Sequence, residues 1–150
     1  MLIKRMFLTL GLIGLMTLAA GGQEAKPAPR AIKIKLNYTG AGTVDEKHKI
    51  FVFLFDSPDF MKGTGEVMPV GSESADTKDA TVTISGIPSP VYAVAAYDPA
   101  GGYDGQTGPP PAGSSLGMYT KTPGTPEPVK IEPGQTASVD LAFDDTAKMK

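Results

Sequence analysis

An all-β fold, one antiparallel β-sandwich of about seven strands behind an export signal, is predicted by three observations. Three stretches alternate apolar and polar residues with period two: Ala31 to Thr39, Ala80 to Ser85, and Thr136 to Phe143. One uncharged run, Val91 to Tyr97, follows a turn at Gly86-Ile87-Pro88-Ser89-Pro90 and ends at Asp98-Pro99. The 18 Gly and 14 Pro cluster between the apolar runs, as turn residues do, and no stretch after the first 22 residues carries a helical face.

In chain order, Met1 to Gly22 reads as a secretory signal. Lys4 and Arg5 form its positive region, and Met6 to Ala20 is an uncharged run of 15 residues. Ala19-Ala20-Gly21-Gly22 offers small residues for cleavage, expected between Ala20 and Gln23. The run falls short of the roughly 20 apolar residues of a spanning helix. An exported chain, periplasmic or extracellular, is therefore expected, with no transmembrane segment after cleavage. No Cys follows the small residues, so no lipid-modified N-terminus is expected. Residues 23–30, with Pro27 and Pro29, read as an extended linker.

The sandwich is expected over residues 31–143. Ile32, Ile34, Leu36 and Tyr38 face one way, while Lys33, Lys35 and Asn37 face the other. Outward lysines suit an edge strand. Lys49 to Phe55 is apolar on both faces, which demands cover on both sides or a place under a loop. Phe60 to Thr77 reads as loop with a short strand at Glu66 to Val70. Its Phe60 and Met61 either tuck onto the sandwich or form an exposed contact patch. Ala80 to Ser85 places Val82 and Ile84 inward. Val91 to Tyr97 is the central strand. Leu116 to Thr120 and Pro128 to Ile131 are two further candidate strands. Thr136 to Phe143 closes the domain with Ala137, Val139, Leu141 and Phe143 on one face. Residues 144–150 read as a polar tail, with Asp144-Asp145 as a solvated terminus.

The segment Thr81-Val82-Thr83-Ile84, then Gly86-Ile87-Pro88-Ser89-Pro90, then Val91-Tyr92-Ala93-Val94-Ala95-Ala96 resembles the transthyretin-like (prealbumin-like), or carboxypeptidase-regulatory-like, β-sandwich family. Pro90-Val91 stands where that family usually has Gly-Thr or Gly-Ser before the Tyr. The resemblance implies a prealbumin-like sandwich, generally non-catalytic and often an accessory or envelope-associated module. It implies no substrate.

Composition excludes several classes. There is no Cys and one His, His48, flanked by Lys47 and Lys49 in a turn. Thiol chemistry is impossible, zinc would have to rely on carboxylates, and no Gly-x-Ser-x-Gly elbow or phosphate loop exists. The chain is therefore read as not an enzyme, and no cofactor is expected beyond a possible calcium ion. The formal charge of −2 becomes more negative by two when Lys4 and Arg5 leave with the signal. A mildly acidic domain without a basic patch is a poor nucleic-acid binder.

The candidate binding residues are Asp98, Tyr103, Asp104 and Gln106, all in the long loop from Asp98 to Ser115. Long loops in compact domains are usually functional or disordered. Tyr103 offers a flat ring with a polar tip, suited to a sugar or peptide. Asp98 and Asp104 are the metal candidates, for calcium. An EF-type loop fails here: Ala100 and Gly102 stand where oxygen ligands belong, Tyr103 where Gly belongs, and Pro109 where Glu belongs. The competing reading has each Asp hydrogen-bonding its own loop backbone. The expected function is an exported, non-catalytic module that binds a protein or surface partner. The alternative is a carbohydrate- or calcium-binding accessory domain.

Overall fold

The computed structural model describes Gly22 and residues 24–150. The export signal read at residues 1–22, and the cleavage site before Gln23, lie outside them apart from Gly22. Seven strands form: β1 (Ala31–Tyr38), β2 (Ile50–Phe55), β3 (Gly71–Ala75), β4 (Asp79–Ser85), β5 (Tyr92–Tyr97), β6 (Ser115–Met118) and β7 (Thr136–Phe143). They build two sheets, ordered β4-β1-β7 and β3-β2-β5-β6. The fold class is the expected all-β sandwich.

Alternation decides which side chains meet between the sheets. Ile32, Ile34 and Leu36 of β1 are fully buried, as are Ile50, Val52 and Leu54 of β2. Ala93 and Ala95 of β5 and Leu141 of β7 join them. Each large aliphatic side chain buried this way stabilises the fold by roughly 1.5–3 kcal/mol. At one end Tyr38 packs on Tyr97 and Phe143, with ring centroids 4.8 and 4.9 Å apart. Gly40 and Gly42 follow β1 because a Cβ at either would run into the Tyr38 or Tyr97 ring.

Four pairings are antiparallel, but β1 pairs with β7 in parallel, Ile34 opposite Val139 and Leu36 opposite Leu141. The expectation of purely antiparallel pairing is corrected there. The first and last strands run side by side because β7 arrives after a crossover from the other sheet. β1 is also not an edge strand, since β4 and β7 flank it. Lys33 and Lys35 are outward because the outer face of this sheet is wet. Thr81, Thr83, Ser138 and Asp140 share that face and are exposed.

Four further segments differ from the sequence expectation. The short strand expected at Glu66 to Val70 lies later, at Gly71–Ala75, where it pairs with β2. Pro128 to Ile131 is not a strand: it touches β5's start through one bridge, Val91 with Val129. Pro58–Lys62 forms a turn of 3-10 helix, started by Ser57 accepting the Asp59 N–H at 3.2 Å and ended by Gly63 at φ 65°. Residues 147–149 pair with β6 rather than standing free as a solvated tail.

Candidate functional site

The two sheets differ on their outer faces. The three-stranded sheet turns Lys, Thr, Ser, Asn and Asp to solvent. The register of the other sheet aligns Phe51 with Ala96, Phe53 with Val94 and Phe55 with Tyr92, and then Ala96 with Leu116 and Val94 with Met118. Partners across antiparallel strands share a face, so eight uncharged, almost wholly apolar side chains form one outer surface. Phe53 and Ala96 are buried in it, while Phe51, Phe55, Tyr92, Val94, Leu116 and Met118 are only half-buried. This is the double-sided apolarity of Lys49 to Phe55 realised in space.

Two short covers sit on this face. The 3-10 turn brings Phe60 onto Phe55, with ring centroids 4.7 Å apart and nearly parallel. That resolves the choice for Phe60, which tucks in. Met61 next to it remains half exposed, at 50%, and Met68 on the same connection is 72% exposed. The second cover is the loop after β5. Tyr103 meets Phe51 edge-on at 5.1 Å and lies 6.3 Å from Phe53. Gly105 lies so close to the Phe51 ring that a side chain there would collide with it. Val94, Leu116 and Met118 lie between the covers and the β6 edge.

The four residues singled out in that loop are brought together, mostly to build the loop. Asp98 is buried, at 6% exposure, and its carboxylate accepts the N–H groups of Ala100, Gly102 and Tyr103 at 2.9, 3.0 and 3.1 Å. Asp104 accepts from the N–H groups of Gln106 and Thr107 and from the Thr107 hydroxyl, at 2.8, 2.9 and 2.8 Å. These bonds to its charged form hold the Asp104 carboxyl below its ordinary value, the Gln106 N–H foremost. Tyr103 donates its hydroxyl to Gly108 O at 2.8 Å, and burial raises its phenol pKa, with Asp104's charge adding to the rise. Gln106 is exposed. The geometry is that of two Asx-type turns whose product is the seat of Tyr103.

His48 is half-buried rather than freely exposed. Its Nδ1 lies 2.8 Å from Asp45 Oδ1, and its ring packs beneath Gly101. Asp45 also accepts the N–H groups of Lys47 and His48, so the pair closes the turn before β2. Among the described residues no three His, Asp or Glu side chains converge as a metal site. No helix among them is long and apolar enough to cross a membrane.

A second polar cluster escaped the sequence reading. Asp145 accepts the Tyr38 hydroxyl and the Ser115 hydroxyl at 2.6 Å each, and the Ala41 N–H at 2.9 Å. Lys148 Nζ is 3.3 Å from the same carboxylate and 2.7 Å from Ser115 Oγ. The Ser115 and Tyr38 bonds push the Asp145 carboxyl far below the usual carboxylate range. Tyr38 moves the other way, up to about 12, through burial first and then its bond to Asp145. Ser115 is fully inaccessible, so the cluster is a fastening and not a nucleophile's site.

No family model and no curated protein matches the chain. Among solved structures the chain is similar to an alternative pilotin from the type II secretion system of Vibrio cholerae, at 11% identity and a TM-score of 0.44, covering 81% of this chain and 98% of that one.

Proposed function

We propose that this chain is an exported, non-catalytic β-sandwich module of the cell envelope or extracellular space, and that it binds a partner protein through the outer face of β2, β5 and β6. One observation carries the reading. Every position of that face on β2, β5 and β6, from Phe51 to Met118, is uncharged and almost all are apolar, while the matching face of the other sheet is polar apart from Ala31 and Ala142. A solvent-facing sheet normally alternates apolar-in with polar-out. Apolar residues on both faces of a strand imply something to cover the second face, and Tyr103 and Phe60 cover only part of it. The exposed Met61 and Met68 supply adaptable thioethers on the adjoining connection.

The chemistry of the face favours protein over sugar. Of its eight side chains only Tyr92 carries a hydroxyl, and Ser72 and Ser74 of β3 flank the face at one edge alone, so most of a glycan's hydroxyls would lose water without gaining partners. The transthyretin-like reading of Thr81 to Tyr97 belongs with this proposal, since β4, the Gly86–Pro90 turn and β5 are its elements. The alternative, a carbohydrate- or calcium-binding accessory domain, is separated by the same experiment.

The purified mature chain is screened against envelope extracts, a glycan panel and calcium, alongside Val94→Asp and Met118→Lys. Both positions are half-exposed, so both variants are expected to fold. Binding of an envelope protein should weaken at least about tenfold in each. Unaltered binding in both variants, or binding to glycans alone, overturns the reading.

A further inference from the structure

After Phe143 the chain leaves β7, crosses the end of the sandwich and runs antiparallel along the outer edge of β6. Leu116 N–H donates to Ala147 O at 2.9 Å, Met149 N–H to Ser114 O at 2.8 Å, and Gly113 N–H to Met149 O at 2.8 Å. Ser115 and Lys148 form the bridge between them. This added strand buries little of itself. Thr146, Ala147, Lys148 and Lys150 are exposed. It is held by edge bonds and by one carboxylate, Asp145.

We propose that residues 145–149 are a displaceable strap, and that the edge and carboxylate nest beneath it dock an acidic segment of a partner protein. The nest sets the first requirement. The Tyr38 and Ser115 hydroxyls and the Ala41 N–H all point at one spot, now filled by Asp145. Tyr38 and Ser115 are held on β1 and β6, so their hydroxyls stay in place when the strap lifts, and the Ala41 N–H lies on the exposed turn after β1. A carboxylate meets all three donors, whereas a neutral amide that accepts the two hydroxyls sets its NH2 against the Ala41 N–H. The incoming segment therefore carries Asp or Glu there.

The edge sets the second requirement. The Ser115–Lys148 bridge places Ala147 across from Leu116 on the apolar outer face. Leu116 is half-buried, and a single methyl beside it leaves its flank open. A larger apolar residue two places after the acid would cover that flank, a gain the chain's own strap does not provide. The strap further leaves β6 at Leu116, so it does not cap the edge at Gly117 and Met118. The site thus prefers a segment of the form acid, any residue, large apolar residue, bent over those three positions as residues 145–147 are and extended from there along β6. Addition of a strand to a free edge is a recurrent way of capturing such peptides.

The experiment has two arms. In the first, amide hydrogen exchange is followed in the unaltered chain and in Asp145→Asn. Leu116 and Met149 amides should exchange through local opening, well ahead of Ala95 in the core, and about tenfold faster again in Asp145→Asn while Ala95 is unchanged. If the Leu116 amide exchanges as slowly as Ala95 in both proteins, the strap does not lift and the proposal fails. In the second arm, a chain lacking residues 144–150 is titrated with synthetic peptides of residues 144–150. The peptide with Ala147→Leu should bind about tenfold more tightly than the unaltered one, and the peptide with Asp145→Asn should not bind. Equal binding of all three peptides, or dimerisation of the shortened chain in place of peptide binding, overturns it. The Asp145→Asn peptide leaves the aromatic face untouched, so this result and that of the partner screen stand apart.

Discussion

Asp145 fastens the end of the chain to the core, and its depressed pKa has a direction that can be measured. An unfolded carboxyl titrates near its ordinary value of about 4, while the folded one stays ionised well below that. Its contribution to stability is present above the unfolded value and is lost as pH falls through the region below it. Tyr38 contributes at the other limit. Its folded pKa of about 12 lies above the ordinary 10.0, so its contribution is intact below pH 10.0 and fades as pH rises toward 12. Asp145→Asn should cost about 1–2 kcal/mol at neutral pH, a figure kept low because the site is partly open to water. Urea titrations of both proteins at pH 7 and pH 3 should show that gap narrowing in acid. A gap that persists unchanged would mean that the charge of Asp145 is not what holds it. Asp98 makes a different prediction. With both its oxygens engaged by three backbone N–H groups, Asp98→Ala should loosen the loop and cost about 2 kcal/mol. Calorimetry with calcium is expected to be silent in the unaltered chain. Heat that disappears in Asp98→Ala/Asp104→Ala would restore the ion reading.

At the level of elements, β6 shows how one residue decides where two sheets can meet. Gly117 faces inward, and a Cβ there would strike Phe143 and come within 3.1 Å of Leu141. Gly117→Leu should therefore push β6 away from β7 and destabilise by about 1–3 kcal/mol, as overpacking does. Thermal melts of the variant check this, and a melting temperature unchanged from the parent would show that the sheets can slide apart freely. Elements differ in how far their sequences announce them. β1, β4 and β7 were legible because each buries one face only, and Ile32-Lys33-Ile34-Lys35-Leu36 can hardly be read another way. β2 and β5 were legible as runs bounded by turns. Gly71-Ser-Glu-Ser-Ala was missed because an edge strand with little to bury has no apolar period. Glu73 sits across from Val52 on the core side of the sheet yet remains exposed at the edge. The strap was missed for another reason. Asp145 lies 107 residues from Tyr38 and 30 from Ser115, and nothing local in Asp144-Asp145-Thr146 signals either partner. Of the loop residues expected to bind, Asp98, Tyr103, Asp104 and Gln106, the first three build a cover over Phe51 and Phe53, and Gln106 is exposed.

For the whole molecule, the parallel pairing of β1 with β7 joins residues near the start of the domain to residues near its end. Ala31 lies beside Thr136 and Tyr38 beside Phe143. Such contacts form only after the intervening chain has been brought together, so closure entropy is spent before they return anything. Neither sheet has a core of its own, because the inward side chains of β1 and β7 pack on those of β2 and β5. The two sheets should therefore fold together and slowly, in milliseconds to seconds as sandwiches of high contact order do. Far-ultraviolet circular dichroism and tyrosine fluorescence should report one coincident unfolding transition in the shortened chain lacking residues 144–150 as in the parent. Tyr38 and Tyr97 contribute to the tyrosine signal from the sheet interface, beside Tyr92, Tyr103 and Tyr119, while the dichroism averages over both sheets. Leu141→Ala, which hollows the contact between β7 and the opposite sheet, should destabilise by about 2–5 kcal/mol and lower both midpoints together. Should the three-stranded sheet melt first and leave the dichroism of β2, β5 and β6 in place, the four-stranded sheet would have to be stable with its inward face open. Its outer aromatic face, with Tyr103 and Phe60 upon it, would then be a second core and not a surface waiting for a partner.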